Sequence, residues 1–322
     1  VLQREQKGTA HALLSAEGSL DGRFAILMGD DIYSRKDLES CLKIKDDGAI
    51  LVRRVENPSQ YGVCSVDMGF LTGIVEKPKV PESDLVNAAL YVADVSLFGF
   101  LHALKPSKRG ELELTDGMSA YAKSKKVRVV ESESWVPITF AWDLLKANRA
   151  VLDRLKPENK GCVEQGAVIK GKVSVGKGTI IRSGAYIEGP VIIGKNCKIG
   201  PNCHIRPYSA IGDNSKVGNG CEVKNSVIFN NSSIGHLSYV GDSVLGESVN
   251  LGAGTITANL RHDSSNVKTC VNNKIVDTGL RKLGTMIGDV AHTGIHTSIY
   301  PGRCIYPNKS TLPGQIVDKD VR

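Results

Sequence analysis

An aliphatic residue, once Phe, recurs at every sixth position from Val163 through Ile169, Val175, Ile181, Ile187, Ile193, Ile199, Ile205, Ile211, Val217 and Val223 to Phe229. One residue is then lost, and the phase resumes at Ile234 and Val240, again at Leu245 and Leu251, and finally at Ile287, Thr293, Ile299, Ile305, Thr311 and Val317. An α-helix repeats about every 3.6 residues and a strand about every 2. A period of six is given by a parallel β-helix of hexapeptides. Glycine often follows the repeat residue (Gly176, Gly194, Gly212, Gly218, Gly235, Gly241), as tight corners between short strands require. The residue four positions past the repeat is mostly small (Cys197, Cys203, Ser209, Ser215, Cys221, Ser238), which suits a second inward position in a narrow prism. Residues 161–322 are therefore expected to wind into one coil.

Residues 1–157 follow a different pattern. Phe24–Met28 reads as a buried strand, with Ala49–Val55 and Asn87–Ala93 as two more, while Glu113–Ser124 and Leu144–Leu155 read as helices. The alternation predicts an α/β layer unit with a mostly parallel sheet. Pro157 and residues 158–161 make the junction, and 322 residues suffice for two domains.

No apolar stretch approaches the ~18 residues of a membrane span, and no secretory signal is visible, so no membrane partner is expected. The eight cysteines form no CxxC pair and no zinc-ligand spacing. Cys203 and Cys221 are eighteen residues apart, which stacks them on one coil face as buried small residues in a reduced, cytoplasmic setting. The net charge of +7 favours anionic partners. No basic run is interleaved with aromatics, so nucleotides and sugar phosphates are expected rather than nucleic acid.

Two carboxylates in the first half stand out. Asp30 follows Gly29 at the carboxyl end of a strand, where open α/β sheets bind ligands. Asp143 begins the last helix, and the two together would hold Mg2+ against a triphosphate. Each reads equally as a turn residue or helix cap. In the coil, Glu188, Arg206 and Lys224 lie eighteen residues apart, so they form a column with rungs ~4.8 Å apart. Two cations a rung apart seat a phosphate; alternatively, Glu188 pairs with Arg206 in a solvated ladder. Residues 259–283 break the six-residue register, as a functional loop would.

Residues 1–12 (VLQREQKGTAHA), Gly29-Asp30, Tyr61-Gly62, Val75-Glu76-Lys77-Pro78 and Asn87 resemble, in order and spacing, the sugar-1-phosphate nucleotidylyltransferases. Arg206-Pro207, Glu222-Val223-Lys224, the block from His236 to Asp242 and the block from Val249 to Asn259 resemble an acetyltransferase signature. Both halves point to the bifunctional N-acetylglucosamine-1-phosphate uridylyltransferases/glucosamine-1-phosphate acetyltransferases, with archaeal-like features after Asn259. The resemblance implies an α/β nucleotidyltransferase-type (Rossmann-like) unit followed by a left-handed parallel β-helix that assembles as a homotrimer with active sites between subunits.

The resemblance further implies that Gln3, Gly8 and Thr9 face the base of UTP. Gly62, Glu76 and Asn87 would face the sugar, and Asp30 with Asp143 would hold Mg2+. In the coil, His236 becomes the general base, since imidazole titrates near working pH. Arg206 and Lys224 hold the sugar 1-phosphate, Tyr239 and Asn259 orient sugar and amine, and a backbone N–H near Ala253 meets acetyl-CoA. The family's Lys six residues after Asn259 is replaced by Ser265, and Lys268 is its expected substitute, with galactosamine 1-phosphate as a second acceptor. The family's glycine-rich phosphate loop is absent ahead of Gln3. The chain as given is thus expected to be a fragment, poor in nucleotidylyl transfer. Two rival readings remain: a nucleotidylyltransferase whose coil is a scaffold, and a non-enzymatic exchange-factor-like subunit.

Overall fold

The computed structural model describes residues 1–322 and divides them into two compact units, Val1–Pro137 and Ile138–Arg322.

The first unit is built on a six-stranded sheet in the order Arg23–Leu27, Leu85–Asp94, Gly48–Arg54, Val127–Glu131, Phe70–Glu76, Gly62–Asp67. Only Gly48–Arg54 and Val127–Glu131 run parallel; the other neighbours are antiparallel. The expectation of a mostly parallel sheet is corrected here. Gly62–Asp67 and Phe70–Glu76 are joined only by Met68 and Gly69, both at positive φ, and so short a connection permits only a hairpin. Phe24–Met28 is corrected too: the observed strand Arg23–Leu27 is an edge strand with alternate residues exposed. One sheet face packs on the helices Leu97–His102 and Leu114–Ala122, whose Leu114, Met118 and Tyr121 are buried at helical spacing. The other face meets Cys41 and Leu38 of the helix Arg35–Leu42.

The second unit is a three-sided parallel β-helix, one face of six strands and two of eight, in agreement with the left-handed coil the resemblance implies. Repeat residues stack rung on rung, with Ile187 over Ile205 over Val223 over Val240, and all four are buried. Cys203 and Cys221 also point into the core, and burial pushes the Cys203 thiol up to about 12. Val163 and Ile169, at the first rung, are each 37% exposed.

Phe229 is a correction: it is 43% exposed, and Ile228, only 3% exposed, takes the interior place over Ile211. The lost residue therefore falls between Val223 and Ile228. The same shortening recurs between Val240 and Leu245, at the same corner of the next rung. Asn225 and Asp242 occupy these two shortened corners at φ +43° and +50°.

The helix Asp143–Leu152 belongs spatially to the coil, ahead of the junction expected at 157–161. Trp142 and Leu145 pack with Val244, Val267, Leu283 and Met286. Arg149 stacks on the Tyr208 ring at 3.7 Å, and Asn148 Nδ2 donates to the Tyr208 carbonyl at 2.8 Å. Within the excursion, Lys268–Val271 and Lys274–Asp277 pair as an antiparallel hairpin, whose base is anchored by buried Val267 and Leu283. No helix is long and apolar enough to cross a membrane.

Candidate functional site

In the coil the charged column takes shape at the ends of the second-face strands. Lys170 lies beside Glu188, and Lys224 beside Gly241. The register of Ile205 against Ile187 and Val223 puts Arg206 between Glu188 and Lys224. Glu188 does not pair with Arg206. It meets His204 Nε2 at 2.8 Å, and Arg206 Nη1 donates to Glu222 Oε1 at 2.9 Å. The Glu222 carboxylate raises the Arg206 guanidinium above its ordinary value.

Lys224, Tyr239 and Asn259 are brought together by a residue absent from the expected set. Asp242 is 4% exposed. Its Oδ2 accepts from Lys224 Nζ at 2.9 Å and from Asn259 Nδ2, and its Oδ1 accepts from Asn225 Nδ2 at 2.7 Å. Asn259 Nδ2 also reaches Tyr239 Oη at 3.1 Å. A buried carboxylate is retained only where charged and polar donors surround it, and Asp242 has three. The sequence signal was the pair of five-residue spacings, because a shorter corner turns Asn225 and Asp242 toward each other.

Gly241 serves the same cluster: a Cβ there would stand 2.4 Å from Tyr239 Oη, so glycine leaves room for the phenol to lie over the Lys224 column. His236 is exposed at the preceding corner. Its carbonyl accepts from Gly254 N at 3.1 Å, while its imidazole makes no hydrogen bond. Ala253 lies one rung on from His236, following the pairing of Ile234 with Leu251. Lys268 sits on the excursion hairpin opposite Asp277, exposed, and its ammonium makes no bond to the Asp242 cluster.

In the first unit, Gly62, Glu76 and Asn87 converge. Gly62 pairs with Glu76 across the hairpin, and a Cβ on Gly62 would lie 3.1 Å from Glu76 Oε2 and 3.6 Å from Asn87 Cβ. Asn87 is held by bonds to Tyr91 Oη and the Ala89 amide. Burial raises the Glu76 carboxyl above its usual range against the pull of Lys77 and Arg109. Gly8 has φ +106°, and any side chain there would strike the Leu112 backbone. Thr9 Oγ1 accepts from Leu114 N at 3.0 Å, and Gln3 Nε2 lies 2.9 Å from His11 Nδ1 and 3.4 Å from the Gly8 carbonyl. That leaves the Gln3 amide oxygen as an open acceptor.

Asp30 is exposed and without a partner in the first unit, whereas Asp143 belongs to the second. Asp143 Oδ2 accepts from the amides of Thr139 and Phe140 at 2.9 and 2.8 Å, closing the turn that leads into the helix it opens, so the carboxylate serves as a turn residue rather than as the helix cap. The chain holds no group of three His, Cys, Asp or Glu side chains placed to bind a metal ion, and a Mg2+ carried by one or two carboxylates with substrate phosphates does not require one.

Comparison with known proteins agrees with this architecture. The nucleotidyl transferase family matches residues 1–154, and the family described as the GMPPB C-terminal domain matches residues 187–311. A bifunctional sugar-1-phosphate nucleotidylyltransferase/acetyltransferase of Sulfurisphaera tokodaii is 44% identical over 319 residues, covering 98% of this chain and 79% of that protein. The bifunctional protein GlmU of Methanocaldococcus jannaschii is 40% identical over 321 residues, covering 99% and 78%. A UTP–glucose-1-phosphate uridylyltransferase, AglF, of Haloferax volcanii is 34% identical over 140 residues, 41% of this chain and 58% of its own length.

A nucleotidyltransferase unit followed by a parallel β-helix defines a two-domain transferase class. Within it, this chain belongs to the family of bifunctional sugar-1-phosphate nucleotidylyltransferase/acetyltransferases.

Proposed function

We propose that the coil transfers the acetyl group of acetyl-CoA to the amine of glucosamine 1-phosphate, with galactosamine 1-phosphate as a second acceptor. The observation that carries this reading is the cluster of Lys224, Tyr239 and Asn259 around buried Asp242, on the same turns as the unpartnered imidazole of His236. A scaffold coil has no need of a buried carboxylate organising a cation, an amide and a phenol.

Arg206 and Lys224 hold the phosphate, and Arg206 exchanges Glu222 for it. His236 takes a proton from the sugar amine as its nitrogen attacks the thioester carbonyl. The new N–C bond forms, the C–S bond breaks, and the proton leaves with the CoA sulfur. A backbone N–H at Ala253 stabilises the oxyanion, and Lys268 approaches from the excursion hairpin. In a homotrimer the neighbouring coil would close this exposed corner.

In the first unit, the convergence of Gly62, Glu76 and Asn87 supports sugar-phosphate binding, and Gln3, Gly8 and Thr9 support reading the uracil of UTP, for uridylyl transfer to N-acetylglucosamine 1-phosphate. The test is thiol release from acetyl-CoA with each hexosamine 1-phosphate, against a His236→Ala control. Release that disappears in the control is expected. A folded chain that releases no thiol with either sugar refutes the acetyltransferase reading.

A further inference from the structure

Asp242 lies outside the set of residues that touch the proposed substrate, yet it bonds two of them directly and a third through Asn259. An ionised carboxylate only accepts hydrogen bonds. Its contact with Asn259 therefore settles which end of that amide faces it: the NH2 group points at Asp242. The same nitrogen donates its second hydrogen to Tyr239 Oη, so both N–H groups are spent inside the protein. Asn259 Oδ1 is left to face outward as an acceptor. Tyr239 Oη, having accepted from Asn259, keeps its own hydrogen as an outward donor. Lys224 gives one of its three N–H groups to Asp242 and keeps two.

We infer that Asp242 is a positioning residue that fixes the hydrogen-bonding polarity of the acceptor-sugar site: cationic N–H groups for the phosphate, a phenolic donor, and an amide oxygen for the sugar amine. The inference rests on the acetyltransferase reading above and says why that site prefers an amine. An amine that gives an N–H to Asn259 Oδ1 is held by that bond with its lone pair free for the thioester. Asn225 completes the arrangement by occupying Asp242 Oδ1 from the adjacent shortened corner.

The experiment is steady-state kinetics of the full chain carrying Asp242→Asn, with melting temperature measured alongside. The variant turns an acceptor into a mixed group and frees Asn259 to rotate. KM for glucosamine 1-phosphate should rise ~10–100-fold, as losing a charge-assisted bond implies, and kcat should fall about 10-fold or more through misorientation. KM for acetyl-CoA should stay unchanged.

The double variant Asp242→Asn with Asn259→Asp restores a donor–acceptor pair, so it should regain melting temperature while turning a carboxylate toward the substrate, and activity should stay low. If the swap recovers activity together with melting temperature, Asp242 is merely structural and the inference is overturned. Unchanged kinetics in a folded Asp242→Asn overturn it as well. Should that variant not fold, Asn225→Ala loosens Asp242 alone and should raise the sugar-phosphate KM about 3-fold; no rise overturns the inference. A parent chain without thiol release removes the reading of function itself, a result distinct from all of these.

Discussion

Arg206 Nη1 donates to Glu222 Oε1 at 2.9 Å, one rung along the coil, while the register stacks Arg206 itself beside Lys224. The guanidinium is thus pre-aimed but already partnered, and a sugar phosphate must displace a carboxylate to use it. Arg206→Ala should raise KM for the sugar phosphate about 10-fold or more, the equivalent of one charge-assisted bond. KM for acetyl-CoA should not move. Because the pair is more than a third exposed, its loss should leave melting temperature nearly unchanged, which thermal unfolding beside initial-rate kinetics would check.

Gly241 separates space from stability in the same site. A methyl at this position meets the mobile end of Tyr239 rather than backbone, so Gly241→Ala should fold while pushing the phenol off Asn259. Acetyl transfer should drop by roughly 10–100-fold, as misplacement of a substrate-orienting group does. An alanine variant as active as the parent would show that the Tyr239–Asn259 bond is dispensable.

Glu76 makes a pH-dependent prediction for the first unit. Burial raises its carboxyl in the folded state, so the ionised group is less welcome folded than unfolded. Its contribution therefore opposes folding above the folded-state value, and the penalty fades as pH falls below it. Glu76→Gln should raise the melting temperature of this unit at neutral pH, with the gain shrinking toward acid. It should also abolish sugar-phosphate binding if Glu76 faces the sugar. A gain independent of pH would mean that the carboxyl is not the cause.

Much of the coil was legible because its period has a single physical source. Ile187, Ile205, Val223 and Val240 must all enter one narrow interior, and no other periodic structure places every sixth residue inside. The misplacement of Phe229 marks the limit of that reading. Both Ile228 and Phe229 are apolar, and only the packing at the shortened corner shows that Ile228 fills the interior. In the first unit, Gly62–Asp67, Phe70–Glu76 and Val127–Glu131 were not anticipated. Their apolar and polar residues alternate over too few positions to stand out, and the antiparallel majority of the sheet depends on the Met68-Gly69 turn.

The site divides in the same way. The sequence by itself determined the coil and the eighteen-residue column of Arg206 and Lys224, since both follow from spacing along one regular winding, whereas the roles in acetyl transfer rested on the family resemblance. Tertiary structure alone decided that Glu188 partners His204 and that Glu222 holds Arg206. It also made Asp242 the buried anchor of Lys224 and Asn259. Hydrogen bonds between rungs depend on how far each corner turns and where each side chain finds its donor, and those are set by three-dimensional packing rather than by position in the repeat.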